Sequence, residues 1–173
     1  MAHLRREPAA FSPTLWAEDA EAEHWLRQAT LRLRRETAWR WHLAERPGSP
    51  RAGDRLMESL DLTRYADEKR AFFAEDVTAR YLAEQMRPPP RAIEGEPPRG
   101  GFAWAARTLA LDEAARLALG IALLAGLDSA AGPVIAGCHG DGSGMLPTLG
   151  LVQRLWDRPE EVSALADPQH PLW

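Results

Sequence analysis

The stretch from Glu113 to Leu127 is apolar on nearly every side, with Leu117, Leu119, Ile121, Leu123 and Leu124 distributed around the helix it would form. A helix without a polar face cannot lie on a surface and must be enclosed by other elements. At about fifteen residues it falls short of the roughly 20 needed to cross a bilayer. The rest of the chain therefore has to supply amphipathic partners around it.

The first partner is long. Leu15, Ala22, Leu26, Ala29, Leu33, Thr37, Trp41 and Ala44 step by three, four or seven and so share one helical face. The spacing predicts a helix of about thirty residues that begins near Leu15, behind Ser12 or Thr14 as hydroxyl caps, and ends at Pro47-Gly48-Ser49-Pro50. Glu18, Asp19, Glu21 and Glu23 at its front and Arg32, Arg34, Arg35, Arg40 and Arg46 at its rear complement the helix dipole. The run from Arg32 to Arg35 reads as a solvated face, and His24 and His42 as surface or helix-end residues. Trp39 and Trp41 point about 200° apart, so one of them must leave the apolar stripe. With Trp41 on the stripe, Trp39 is the residue expected to meet a partner. Arg35, Trp39 and His42 form the candidate partner-binding face, because tryptophan offers large apolar area and arginine offers charge-assisted hydrogen bonds.

A short helix is expected from Asp54 to about Leu62 and a longer one from Thr63 to Met86, with a break near Thr63. Pro88-Pro89-Pro90 forbids continuation, since each ring removes an amide donor and restricts the residue before it. From Arg87 to Gly101 there are five prolines and three glycines and no apolar period, the composition of a linker or mobile loop. Phe102 to Ala110 reads as a short helix, and Asp112 as the cap of Glu113–Leu127. Another helix is expected from Asp128 or Ser129 through Cys138, one from Leu149 to Trp156 with Thr148 as its cap, and a last short one from Arg158 to about Leu165. No alternation is long enough for a strand, so the expected class is all-α. Its expected organisation is an amino-terminal helical region (1–86), a linker (87–101) and a compact helical subdomain (102–173).

Several chemistries find no footing. Lys69 is the only lysine and lies in Asp67-Glu68-Lys69-Arg70, whereas a phosphate-gripping loop needs lysine between glycine and Ser or Thr. Nucleotide hydrolysis is not expected from this chain. A single cysteine, and no apolar stretch behind the amino-terminal arginines, predict a cytoplasmic protein without an internal disulfide. The net charge of -4 gives no electrostatic footprint for nucleic acid or anionic lipid. Gly137-Cys138-His139-Gly140-Asp141-Gly142-Ser143-Gly144 gathers nucleophile, base and acid types, but sequence neighbours rarely converge on one ion. It reads as a turn between helices. No catalytic, cofactor-binding or metal-ligating residue is expected.

Leu111-Asp112-Glu113-Ala114-Ala115-Arg116-Leu117-Ala118-Leu119, then Gly126-Leu127-Asp128-Ser129, then Leu146-Pro147-Thr148-Leu149-Gly150-Leu151 follow one another in a particular order. This order resembles the amino-terminal, helical and winged-helix-like region of a AAA+ ATPase family found with phage-tail-like contractile injection systems. The resemblance covers Phe102 to Trp173, and its most specific part is Leu146 to Leu151 behind a leucine-rich helix. Glu113 stands where the family often has proline, and Gly126 where it has glutamate. The resemblance implies a helix-turn-helix or winged-helix-like subdomain and an interaction role in recognising substrate or particle, or in assembling the ring. Its partners would be ring neighbours or injection-particle components. ATP and magnesium would belong to a motor domain after Trp173, with no cofactor in this chain. A stand-alone helical adaptor, a helix-turn-helix regulator that binds nucleic acid, and a small enzyme using the Cys138–Ser143 loop are the other readings.

Overall fold

In a computed structural model of the chain, residues 19–45, 62–86, 88, 100–139 and 144–173 are described. Helix α1 (Ala20–Glu45) starts directly behind Asp19, whose Oδ1 accepts the amide of Ala22 at 3.0 Å. Asp19 was expected inside the acidic first turn; it is instead the cap. The proposed start near Leu15, its caps Ser12 and Thr14, and the stop at 47–50 lie outside the described residues, as does the short helix from Asp54 except for Leu62.

Helices α2 (Leu62–Glu75) and α3 (Val77–Glu84) occupy the region expected to be one helix. A break falls at Asp76, inside the expected Thr63–Met86 helix, while the chain before Leu62, on the far side of the expected break near Thr63, lies outside the described residues. Asp76 adopts extended backbone and its Oδ1 accepts the Ala79 amide at 2.8 Å, so its carboxylate competes with helix continuation and starts a new one. Most of the expected linker, residue 87 and residues 89–99, lies outside the described residues. Its last two residues are structured: Gly100 takes φ 106° and Gly101 opens α4 (Gly101–Thr108).

Helix α5 (Glu113–Leu127) is capped by Asp112, whose Oδ1 accepts the Ala115 amide at 2.8 Å, and it runs through the centre as its sequence requires. Gly120 meets Trp25 there; a Cβ would lie 3.1 Å from the Trp25 carbonyl oxygen, so the small residue permits the close crossing of α5 and α1. Helix α6 (Ala131–His139) follows, then α7 (Leu149–Leu155), where Thr148 Oγ1 accepts the Leu151 amide at 3.2 Å. A four-residue α8 (Pro159–Val162) runs into a 3-10 turn, Ser163–Ala166. The protein is all-α, and among the described residues there is no strand and hence no wing.

One apolar core joins Ala22, Trp25, Leu26, Ala29 and Leu33 of α1 to buried side chains of α4 through α8 and the closing turn. Among the described residues none from α2 or α3 enters that cluster. These two helices pack elsewhere along α1, where Ala79, Leu82 and Trp39 are buried. Helix α1 is thus enclosed by two groups of partners, which explains why its rear half is not the wet face its charges suggest. Among the described residues no helix is long and apolar enough to cross a membrane.

Candidate functional site

The arginine run of α1 is not simply a solvated face. Arg32 and Arg35 are buried, with side chains only 8% and 9% exposed, because the link between α7 and α8 places Asp157 beside them. Arg32 Nη1 donates to Asp157 Oδ2 at 2.6 Å and Arg35 Nη2 donates to Oδ1 at 2.6 Å, so one carboxylate bridges two guanidiniums. The planes are held from behind. Arg32 lies over the Trp156 ring at 4.8 Å, and Arg35 over Phe73 at 4.4 Å. Burial pushes the Asp157 carboxyl upward, but Arg35 and Arg32 together outweigh it and hold its pKa below the usual value.

Arg35, Trp39 and His42, the expected partner face, do come together, but against the chain's own α2. Trp39 has zero exposure; its ring stacks on His42 at 5.6 Å and meets Phe72 at 5.3 Å, while His42 and Phe72 are 4.6 Å apart. The assignment of the two tryptophans was inverted: Trp39 is interior and Trp41 is 68% exposed. A single stripe extrapolated along α1 cannot register that α2 covers the other side of its last turns. Phe72 and Phe73 were the available signal, since adjacent aromatics on a helix need more than one neighbour to cover them.

The only lysine has a structural role nearby. Lys69 Nζ lies 2.5 Å from Glu36 Oε2, in a pair whose acid is 1% exposed, and also donates to the Arg154 carbonyl at 2.8 Å. Arg154 Nη1 in turn donates to the carbonyls of Cys138 at 3.2 Å and His139 at 3.1 Å, at the end of α6. Lys69 thereby ties α2 to both α1 and α7. Burial lowers its pKa, opposed by Glu36.

The Cys138–His139 segment does not assemble a reaction centre among the described residues. Cys138 is fully buried, with Sγ 3.8 Å from Thr37 Oγ1, and burial raises its thiol pKa. His139 Nε2 lies 3.0 Å from the Leu146 carbonyl, turned to a different partner. Asp141 and Ser143 lie outside the described residues. Among those described, no group of three His, Cys, Asp or Glu is placed to hold a metal.

A cleft of about 530 Å³ opens where α1, α3 and the α7–α8 link meet, lined by Trp25, Arg32, Arg35, Met86, Trp156 and Asp157 among others. Its volume is in the range of small-ligand sites, about 300–1,000 Å³. Apart from it, large apolar side chains stand exposed on rigid helices. Trp41 lies near the end of α1, Trp104 lies on α4, and Val77 and Tyr81 share one face of α3 four residues apart. Comparison of the chain with models of protein families, with curated proteins and with solved structures gives no match in any of the three.

Proposed function

We propose that the chain is a non-catalytic helical interaction module, the amino-terminal domain of a AAA+ ATPase that acts on phage-tail-like contractile injection particles. The observation that carries the interaction role is Trp41, 68% exposed on a helix whose other described tryptophans are buried. An exposed indole on a rigid element offers a large apolar anchor whose ordering costs little entropy. The attachment to this ATPase class rests on the sequence resemblance from Phe102 to Trp173. The helix starts at Asp112 and Thr148 are compatible with it, since both fall inside the segments that carry the resemblance. In this reading the chain holds no nucleotide, and its partners are the neighbouring ring subunit or a particle protein.

Immobilised protein is to be titrated with purified contractile particles, with the ring ATPase, and with duplex DNA. Saturable binding to a particle or ring component, with none to DNA, supports the proposal. Binding to DNA alone would replace it with the helix-turn-helix regulator, and binding to none of the three would remove it.

A further inference from the structure

Helix α5 is enclosed over most of its circumference but not all of it. Leu117, Ile121 and Leu124 have no exposure, whereas Leu119 and Leu123 are half-buried and Ala122, Gly126 and Leu127 are exposed. These last five follow the i, i+3, i+4, i+7, i+8 spacing of a single helical face. No polar side chain occurs between Arg116 and Asp128, so the strip offers a neighbour neither a charge nor a side-chain hydrogen bond. What it can offer is apolar area on a helix already fixed by the core.

Gly126 bears on what covers it. A Cβ there would meet nothing within 4 Å, in contrast to Gly120, where Trp25 takes up the space. Nor does Gly126 take the left-handed backbone with which glycine ends helices. Within the chain, glycine only weakens the helix at this place, since alanine is the better helix former. The small residue gains a use when a side chain from another molecule closes on it.

Sizes alternate along the strip in a self-complementary order. Laid antiparallel on its own copy about the midpoint of Ala122 and Leu123, the strip sets Leu119 against Gly126 and Leu123 against Ala122, a large side chain opposite a small one each time. The same two-fold brings Arg116 of one copy toward Asp128 of the other. The rims then present opposite charges, while Arg116 keeps Glu21 and Asp128 keeps the Ala130 amide. A parallel alignment loses both matches, with leucine facing leucine and Arg116 facing Arg116.

We propose that this face of α5 is a self-association surface, through which two copies of the chain pair antiparallel as a two-fold dimer. The contact is separate from Trp41 and does not rest on the ATPase reading.

Sedimentation equilibrium over a wide concentration range, with thermal melting at the dilute end, tests it. The wild type is expected to pass from monomer to dimer with a dissociation constant in the micromolar range, as suits a contact of one helix face. Ala122→Glu brings a carboxylate from each copy to the axis and is expected to stay monomeric. Because Ala122 is exposed, this variant should melt close to the dilute wild type. Gly126→Ala is expected to weaken the dimer at least about tenfold while melting no lower than the dilute wild type. Trp41→Ala leaves association unchanged, which keeps the result distinct from the proposed partner anchor. A wild type that stays monomeric throughout, a dimer undiminished by Ala122→Glu or by Gly126→Ala, or a dimer lost with Trp41→Ala would each overturn the proposal. Either α5 variant melting well below the dilute wild type would overturn it too, by showing that the chain itself covers this face.

Discussion

Gly100 lies so close to Asp19 that a Cβ on it would overlap the Asp19 carboxylate, and its φ of 106° is one that other residues rarely adopt. The proximity lets Asp19 serve two helices. Oδ1 accepts the Ala22 amide of α1, and Oδ2 accepts the amides of Phe102 at 3.0 Å and Ala103 at 3.2 Å at the start of α4. Asp19→Ala is expected to destabilise the protein by roughly 2 kcal/mol or more, since single caps contribute about 0.5–2 kcal/mol each. Asp112→Ala, which uncaps α5 alone, is expected to cost about 1 kcal/mol. Gly100→Ala should be at least as damaging as Asp19→Ala, through strain as well as overlap. Chemical denaturation of the three variants checks the order; an Asp19→Ala variant no worse than Asp112→Ala would show that the second cap contributes nothing.

His24 and Asp157 are expected to give stability two pH-dependent steps. Burial, followed by the charges of Arg27 and Arg32, lowers the pKa of His24. The unfolded chain, with its ordinary histidine value of about 6.5, then binds the proton more readily, so stability falls as pH drops below about 6.5 and levels off below the folded value. Asp157 is depressed by Arg35 and Arg32 against the upward push of burial. Its contribution is complete above the unfolded value of about 3.9 and is lost as pH falls through the lower folded one. Melting curves from about pH 8 to about pH 3 should show both declines, and His24→Gln should remove only the upper one. A stability that rises on acidification through pH 6 would contradict the assignment for His24.

Cys138 should be inert in the folded protein. It is fully buried and its thiol pKa is raised by burial, whereas the thiolate is the reactive form. Reaction with an aromatic disulfide reagent is expected to follow the unfolding transition in urea. Rapid labelling without denaturant would mean that the α6 region opens readily.

What could be read from residues alone was local. The caps at Asp112 and Thr148 and the enclosure of α5 follow from a side-chain oxygen before an apolar run and from a helix with no polar face. The break at Asp76 was missed because the apolar positions Phe72, Phe73, Val77 and Tyr81 keep helical spacing across it. The burial of Arg32 and Arg35 depends on Asp157, more than 120 positions away in the chain, and no pattern within α1 reports such a partner. The exchange of Trp39 for Trp41 has the same origin. Periodicity gives the angle between two side chains, and tertiary contacts decide which direction is the interior.

Lys69 and Glu36 provide a sharper test of how α2 is held. Removing one member of a buried pair leaves the other charge unmatched, so Lys69→Met should cost about 3–5 kcal/mol. Replacing both, as Lys69→Met with Glu36→Leu, should restore much of that loss. A double variant as unstable as the single one would show that Arg40, 3.5 Å from Glu36, and the Arg154 carbonyl dominate this contact.

The two tryptophans at the end of α1 separate partner binding from folding. Trp39→Ala and Trp41→Ala are to be compared in affinity for the purified particle or ring component and in melting temperature. Trp39→Ala is expected to lose about 3–5 kcal/mol of stability, because its ring is enclosed by His42 and Phe72. Trp41→Ala is expected to change stability by less than about 1 kcal/mol while weakening association by about 2 kcal/mol or more. Full-strength binding by a stably folded Trp41→Ala protein would contradict the proposed role of the exposed indole as the partner anchor.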